Sequence, residues 1–420
     1  MTIQELYTKY LECTGVSTDS RNIEKGVLFI ALKGENFNGN LYAQEALEKG
    51  ARYALVDEEI NGENILHCED CLQTLQALAT HHRRQFSKPI IGLTGSNGKT
   101  TSKELINCVL SKRLKTHSTS GNYNNHIGVP LTLLALPLDS EVAIIEMGAN
   151  HQKEIDLLSH ITEPNWGIIT NIGKAHLEGC GGIEGVIKGK SELYDFIKKT
   201  NGKIIVNGED EVLQKQVGDY SYTLHYYPSQ LTVKTDDEGY LSVIYESKVY
   251  PLQLTGSYNL ANISCAITCG LEFGISIEES LSAISSYSPS NNRSEIKKLG
   301  NISVVMDAYN ANPTSMKASL QNFNKIKAGN KIIVMGEMLE LGDESIQEHQ
   351  HIVDFLISLD PNCTVYLIGK EWDGVSTSYT KFENVDSFIS IIDKNSFNNS
   401  ALLLKGSRGV KLERVLEQLV

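Results

Sequence analysis

Residues 88–101 read Lys-Pro-Ile-Ile-Gly-Leu-Thr-Gly-Ser-Asn-Gly-Lys-Thr-Thr. Ile90, Ile91, Gly92 and Leu93 have the character of the end of a buried strand. A glycine turn follows, Gly95-Ser96-Asn97-Gly98, then Lys99 and Thr100, and the run from Thr101 to Ile106 reads as a helix. Strand, glycine turn, lysine, hydroxyl and helix together suit a triphosphate. The glycines let backbone N–H groups converge on phosphate oxygens, and the helix start adds the positive end of its dipole. Lys99 is placed to neutralise the outer phosphates and the Thr100 hydroxyl to ligate magnesium. The common form of this loop has a glycine five places before Gly98. That position is Leu93 here, and glycines fall at 92, 95 and 98. A glycine-rich turn holding nothing is the plain alternative, and the strand before it and the helix after it weigh against that.

The 420 residues exceed one ordinary core and suggest about three domains. With 41% hydrophobic and 21% charged residues the chain falls in the soluble globular class. A net charge of −13 argues against general nucleic-acid binding, which needs a basic face, but not against a single nucleotide. The start MTIQELYTKY carries no signal region and no run approaches a membrane span, so the expected location is the cytoplasm, without membrane insertion. Eight cysteines in a chain this size are no disulfide framework. Cys68 and Cys71 form a lone CxxC beside His67 with no second pair nearby, so free thiols are expected rather than zinc. Cys265 and Cys269 are spaced to share one helix face.

In chain order, residues 1–87 make a small αβ unit, with strands at Val27–Leu32 and Ala51–Val56 and a helix at Ala43–Lys49 ended by Gly50. Polar stretches flank its first strand: Ser17-Thr18-Asp19-Ser20-Arg21 before, and Lys33 to Gly39 after. They are either plain surface loops or the lining for a phosphorylated, uridine-like ligand. Leu72–Arg84 reads as a helix, and Ser87-Lys88-Pro89 as a break. Residues 88–293 then alternate strands with helices, including strands at Val142–Glu146, Trp166–Thr170 and Lys203–Val206. Such alternation points to a mainly parallel sheet whose ligands sit beyond the strands' carboxyl ends. After Pro289-Ser290-Asn291-Asn292-Arg293, residues 294–420 begin a second alternation, with strands at Ile302–Asp307, Lys331–Gly336, Thr364–Gly369 and Ala401–Gly406. The expected fold is α/β in three domains: a small N-terminal αβ unit, a central P-loop-type parallel sheet, and a Rossmann-like C-terminal unit.

Several constellations fall where that fold collects ligands. Glu146 closes a buried strand and, with Thr100, offers hard oxygens to magnesium. His176 follows the next strand at the same rim. The run from Val186 to Tyr194 reads as a helix whose lysines, Lys188 and Lys190, are compatible with nothing more than a solvated basic face. Asn259 and Asn262, three apart at a helix start, project to one side, where amides read a base edge. Asp307, ending a strand before Tyr309-Asn310-Ala311-Asn312, is placed for a ribose hydroxyl.

Taken together the chain resembles the Mur ligase family over essentially its whole length. The strings that carry the likeness appear in the family's order: STDSR, LFIALKGENFNG, GLTGSNGKTTSKE, GNYNNHIGVPLTLL, EMGAN, TNIGKAHLE, KGKSELY, NLANISCA, AYNANPTSMKASL and GEMLELGDES, with a later His349. The glycine spacing of the loop matches the family's own form. The resemblance implies a UDP-sugar domain (1–87), an ATP-binding ligase domain (88–293) and a mobile closing domain (294–420). It implies that ATP phosphorylates the C-terminal carboxylate of a UDP-N-acetylmuramoyl-tripeptide, and that the amine of D-Ala-D-Ala then displaces phosphate from the acyl phosphate. LKGENFNG, YNANP and GEMLELGDES favour this dipeptide-adding branch over relatives that add one amino acid, or glutamate to folate.

The resemblance also assigns roles. Lys99, Glu146, His176 and Lys190 would form the phosphoryl and metal centre, with Thr100. Lys190 would be N-carboxylated, giving a ligand for a second magnesium. ATP would be held by Thr94, Gly95, Ser96, Asn97, Gly98, Lys99, Thr100 and Thr101, and by Asn259, Asn262, Arg293, Asp307, Tyr309 and Asn312. The muramoyl-peptide substrate would meet Ser20, Arg21, Lys33 and Gly34 at its UDP end and Asn124, Asn125 and His126 near the reacting carboxylate. Three positions depart from the family pattern: Met306 before Asp307 where a second acid is frequent, Tyr258 in place of a histidine, and Asn292 in place of a glycine. A regulator that binds nucleotide without catalysis would have no need of Lys99, Thr100, Glu146, His176 and Lys190 together. The sequence suggests a monomer and is silent on whether diaminopimelate or lysine is the third peptide residue.

Overall fold

The computed structural model describes residues 1–226, 231–289, 293, 295–360 and 363–419. Ser290, Asn291 and Asn292 of the expected linker lie outside the described residues.

Four apolar strands, Val16–Ser17, Leu28–Ile30, Tyr53–Val56 and Ile65–His67, pair in that order as a parallel sheet. The helix Cys71–Gln85 packs beside it, started by Asp70, whose carboxylate accepts from the Gln73 amide. One hydrophobic core runs from this unit into the next, joining Leu28, Leu55 and Leu75 to Val129, Ile145 and Leu193.

The central sheet has six parallel strands in the order Thr223–His225, Lys203–Val206, Trp166–Ile169, Ile90–Thr94, Val142–Glu146 and Thr116–Ser118. Strand Ile90–Thr94 is buried at every residue, as a sheet covered on both faces demands. From it the chain first builds strands on one side and then crosses to the other. That reversal opens a crevice at the carboxyl ends, where ligands bind in doubly wound sheets. The alternation expected over residues 88–293 is interrupted by an antiparallel meander, Thr232–Thr235, Tyr240–Tyr245 and Lys248–Thr255. Leu254 and Thr255 therefore end a strand, and the helix opens at Asn259.

A second six-stranded sheet orders Glu295–Leu299, Ile302–Asp307, Ser400–Lys405, Asn330–Gly336, Thr364–Ile368 and Thr380–Phe382, antiparallel only at its first pair. Its two faces hold separate cores, and one of these includes Leu177, Cys180 and Val186 of the central unit. The C-terminal unit thus packs directly on the central one. The fold is three-unit α/β, as expected. Among the described residues no helix is long and apolar enough to cross a membrane, and all eight cysteines are free thiols.

Candidate active site

The carboxyl ends of the central and C-terminal sheets face each other across a cleft of 490 Å³. Its floor is the loop after Ile90–Thr94. Gly98 has φ +78°, and a β-carbon there would stand 2.7 Å from Asn262 Oδ1, so only glycine lets the helix Asn259–Glu272 approach. The amides of Ser96 and Asn97 are taken by Asn171, one by its backbone carbonyl and one by its side-chain oxygen, each at 3.0 Å. These bonds brace the loop and leave the amides that begin helix Lys99–Leu110, which have no intrahelical partner, as the anion-binding set.

Lys99 folds back over the loop, its Nζ donating to Gly95 O at 2.7 Å and Ser96 O at 3.3 Å. Protein surrounds the ammonium although part of the residue faces the cleft. Desolvation, reinforced by the neighbouring Lys190, lowers its pKa to about 7. Lys190 is buried in the middle of helix Ile183–Lys199, its Nζ 3.1 Å from Ala149 O, and desolvation lowers it to about 8. Lys188 on the same helix is exposed. The buried lysine is therefore the one within electrostatic reach of the phosphate loop.

Glu146 ends its strand 1% exposed. One oxygen, Oε1, accepts from Thr100 Oγ1 at 3.2 Å and Asn124 Nδ2 at 2.9 Å, while Oε2 is buried without a hydrogen-bond partner. A buried carboxylate oxygen with no donor is costly unless a cation meets it. Carboxylate and hydroxyl oxygens side by side are the hard ligands magnesium takes, so the residues present fit that ion. Among the described residues no three His, Cys, Asp or Glu side chains gather as a ready cage. The donor set is thus an open one, to be completed by other oxygens.

His176 borders the cleft at φ +55°, and its Nδ1 lies 2.5 Å from Glu340 Oε2 of the C-terminal unit. That neighbour holds the Glu340 carboxyl below its usual range. Two further contacts tie the units: Lys174 Nζ to Glu348 Oε1 at 2.6 Å, and Asn312 Nδ2 to Asn97 Oδ1 at 2.7 Å. Asn312 also caps helix Pro313–Lys325, accepting from the Ser315 amide. One amide therefore fixes a helix start and holds it against the phosphate loop.

Arg293 lies 3.8 Å over the Tyr309 ring and Arg408 lies 5.4 Å from the ring centroid. Asp307 pairs with Lys405 at 3.1 Å, and Lys405 also donates to Asn310 O at 2.7 Å. The sequence reading missed Lys405, Arg408, Asn171 and Glu340. The signal for Lys405 was a charge ending an apolar strand before a glycine. Lys405→Ala should destabilise the protein by roughly 2 kcal/mol, because Asp307 stays in a mostly buried place without its partner. Urea denaturation reads the loss, and an unchanged midpoint would show that the pair adds nothing.

Asn259 and Asn262 border the cleft, yet their amides are engaged within the protein. Asn259 Nδ2 donates to Thr255 O, Asn262 Nδ2 to Asn259 Oδ1, and Ser102 Oγ to Asn262 Oδ1. Their first task is to tie this helix to the phosphate-loop helix. Asn124, Asn125 and His126 line the opposite wall. The structure does not bring Ser20, Arg21, Lys33 and Gly34 to the cleft. Arg21 is exposed beside Asp19, and Lys33 pairs with Asp57 at 2.9 Å and Glu58 at 3.1 Å on the N-terminal unit.

Family models match in three consecutive blocks: Mur ligase family, catalytic domain over residues 12–83; Mur ligase middle domain over 93–270; and Mur ligase, glutamate ligase domain over 292–408. The chain belongs to the Mur ligase family. The UDP-N-acetylmuramoyl-tripeptide–D-alanyl-D-alanine ligase of Bacillus subtilis (strain 168) is 36% identical, over 97% of this chain and 93% of that protein. The enzyme of the same name from Escherichia coli (strain K12) is 30% identical, over 99% and 95%. Among solved structures, MurF from Acinetobacter baumannii superposes with a TM-score of 0.86 at 29% identity, covering 100% of this chain and 98% of that one. MurF ligase from Thermotoga maritima in complex with ADP gives 0.83 at 26%, covering 98% and 97%.

Proposed function

We propose that the chain is an ATP-dependent ligase that joins D-Ala-D-Ala to the C-terminal carboxylate of a UDP-N-acetylmuramoyl-tripeptide, in the synthesis of peptidoglycan precursors. The observation that carries this reading is one cleft lined by Lys99 and Glu146 of the central unit and by Asp307, Tyr309 and Asn310 of the C-terminal unit, with Thr100 bonded to Glu146 and Asn312 bonded to Asn97 behind it, in a chain matched end to end by relatives bearing that name. The domains run 1–87 for the UDP end, 88–293 for ATP and ligation, and 294–420 for closing. A nucleotide-linked substrate and ATP place the reaction in the cytoplasm.

A carboxylate is a poor electrophile, and phosphorylation gives it a leaving group. Two anions, the carboxylate and the γ-phosphoryl group, must first be brought together. Lys99, protonated once a triphosphate lies against it, holds the transferring charge, and the helix start at Lys99 holds the phosphate oxygens. Asn124 fixes Glu146 and stands between the phosphate loop and the carboxylate's approach. Asn125 and His126 would orient the peptide end, and Arg293, Asp307, Tyr309 and Asn312 the nucleotide. His176, held against Glu340, would sit where the acyl phosphate meets the incoming amine.

Thr100 and Glu146 would hold one magnesium ion, and His176 and an N-carboxylated Lys190 a second, and the metal would supply charge neutralisation for the two anionic groups that must meet. Carboxylation suits Lys190: only a neutral amine attacks carbon dioxide, and burial favours the neutral form. The new group would also turn the repulsion between Lys190 and Lys99 into attraction.

A coupled phosphate-release assay with a panel of acceptors tests the reading. Turnover is expected with D-Ala-D-Ala and not with single amino acids. Turnover with a free amino acid alone would move the chain to the other branch of the family.

A further inference from the structure

The CxxC pair is not used by the ligase reading. Cys68 follows strand Ile65–His67, and Cys71 is the first residue of the 15-residue helix Cys71–Gln85. The two sulfurs are in contact at 3.7 Å, while a disulfide needs about 2.05 Å. Cys71 is buried and Cys68 half-buried, so Cys68 is the more accessible member of the pair. We propose that Cys68 and Cys71 form a redox-active dithiol, oxidised to an intramolecular disulfide by hydroperoxides and restored by small thiols, and that the disulfide disturbs the Lys33 loop.

The chemistry of the pair supports this. The Cys71 S–H holds the Cys68 thiol below its usual value and is itself pushed up in return, so one sulfur is the nucleophile and the other keeps its proton. Burial pushes the thiols of Cys13, Cys108, Cys180 and Cys363 up. In the first step the Cys68 thiolate attacks a peroxide oxygen. The O–O bond breaks, water leaves with the proton, and a sulfenic acid remains. In the second, the Cys71 sulfur attacks Cys68, the S–O bond breaks, and a second water carries off the Cys71 proton. Two thiols lose two electrons, and one hydrogen peroxide becomes two waters. Reduction runs through a mixed disulfide that a second thiol opens.

The coupling to Lys33 is direct. The Cys71 amide donates to Asp57 Oδ2 at 3.2 Å. Asp57 also holds Lys33 at 2.9 Å and Asn40 Nδ2 at 2.8 Å. Drawing Cys71 toward Cys68 moves the first turn of the helix against this carboxylate. That Lys33 serves the UDP end of the substrate rests on the proposed function.

The full-length protein should be treated with hydrogen peroxide and read by intact mass, peptide mapping and thiol titration. A loss of two hydrogens, about 2 Da, confined to the peptide spanning 68–71, reversed by dithiothreitol and absent in Cys68→Ala, is expected. Cys71→Ser should stop at a sulfenic acid that dimedone traps. Calorimetry should show UDP-N-acetylmuramoyl-tripeptide binding about fivefold weaker after oxidation, the scale of one lost hydrogen bond, with ATP binding unchanged. Retention of both thiols, or over-oxidation of Cys68 without a bond to Cys71, would overturn the dithiol. A disulfide that leaves substrate affinity unchanged would overturn the coupling. If neither reduced nor oxidised protein binds the UDP substrate, the ligase reading and the coupling fall together, and the mass shift still decides the dithiol.

Discussion

Lys190→Ala is expected to lower kcat by about a thousandfold, roughly 4 kcal/mol of barrier, with the fold retained. The lysine lies in the middle of a long helix's buried face, and among the described residues its one hydrogen bond is to the carbonyl of Ala149, a cleft-lining residue. A buried ammonium there adds little to stability, since desolvation already moves its pKa to about 8. Below that pH the amine is protonated and does not attack carbon dioxide; above it the neutral amine does. With dissolved labelled carbon dioxide held at one concentration, carboxylation after carbon dioxide is stripped away should be faster at roughly pH 9 than at roughly pH 7. A carbon-13 carbamate resonance should appear in the wild type and be missing from Lys190→Ala. Added bicarbonate should not rescue the variant. A variant that turns over at the wild-type rate would remove the carbamate from the mechanism.

A comparable loss in activity, again without loss of stability, is expected at Glu146. Glu146→Gln keeps the shape and the Oε1 contacts from Thr100 and Asn124. It replaces the partnerless Oε2 with a neutral amide nitrogen. An isolated buried carboxylate oxygen costs the ligand-free protein stability, so the melting temperature should hold or rise. Turnover should fall by about a thousandfold, and the magnesium concentration giving half-maximal rate should increase. Loss of activity together with a large fall in melting temperature would make Glu146 a structural residue instead.

Much of this site was legible because it is local. A glycine turn between a buried strand and a helix is a short-range pattern, and residues 90–106 fold as they read. The strands ending at Glu146, Asp307 and Lys405 were equally plain, since a run of apolar residues closed by a charge marks the rim of a covered sheet. The meander at 232–255 was not visible. Its strands face a core on one side only, and their alternation is weak against the αβ pattern on either side. Lys188 and Lys190 are two residues apart on one helix and look alike in composition; burial separates them.

By itself the sequence determined the three-unit α/β fold, the strand–glycine turn–helix at residues 90–110 and the family, because each rests on contiguous residues whose spacing is set by backbone geometry. The tertiary structure alone decided which groups meet. It set Asn312 against Asn97, His176 against Glu340 and Lys405 against Asp307, pairs from 98 to 215 residues apart in one fold. It also bonded Asn262 to Ser102 and Asn259 to Asn262 and Thr255. These contacts arise from two sheets presenting their carboxyl ends to one cleft. Desolvation and an unpartnered atom at Lys99 and Glu146 in that cleft, and at the buried Lys190 near it, have no counterpart in residue order.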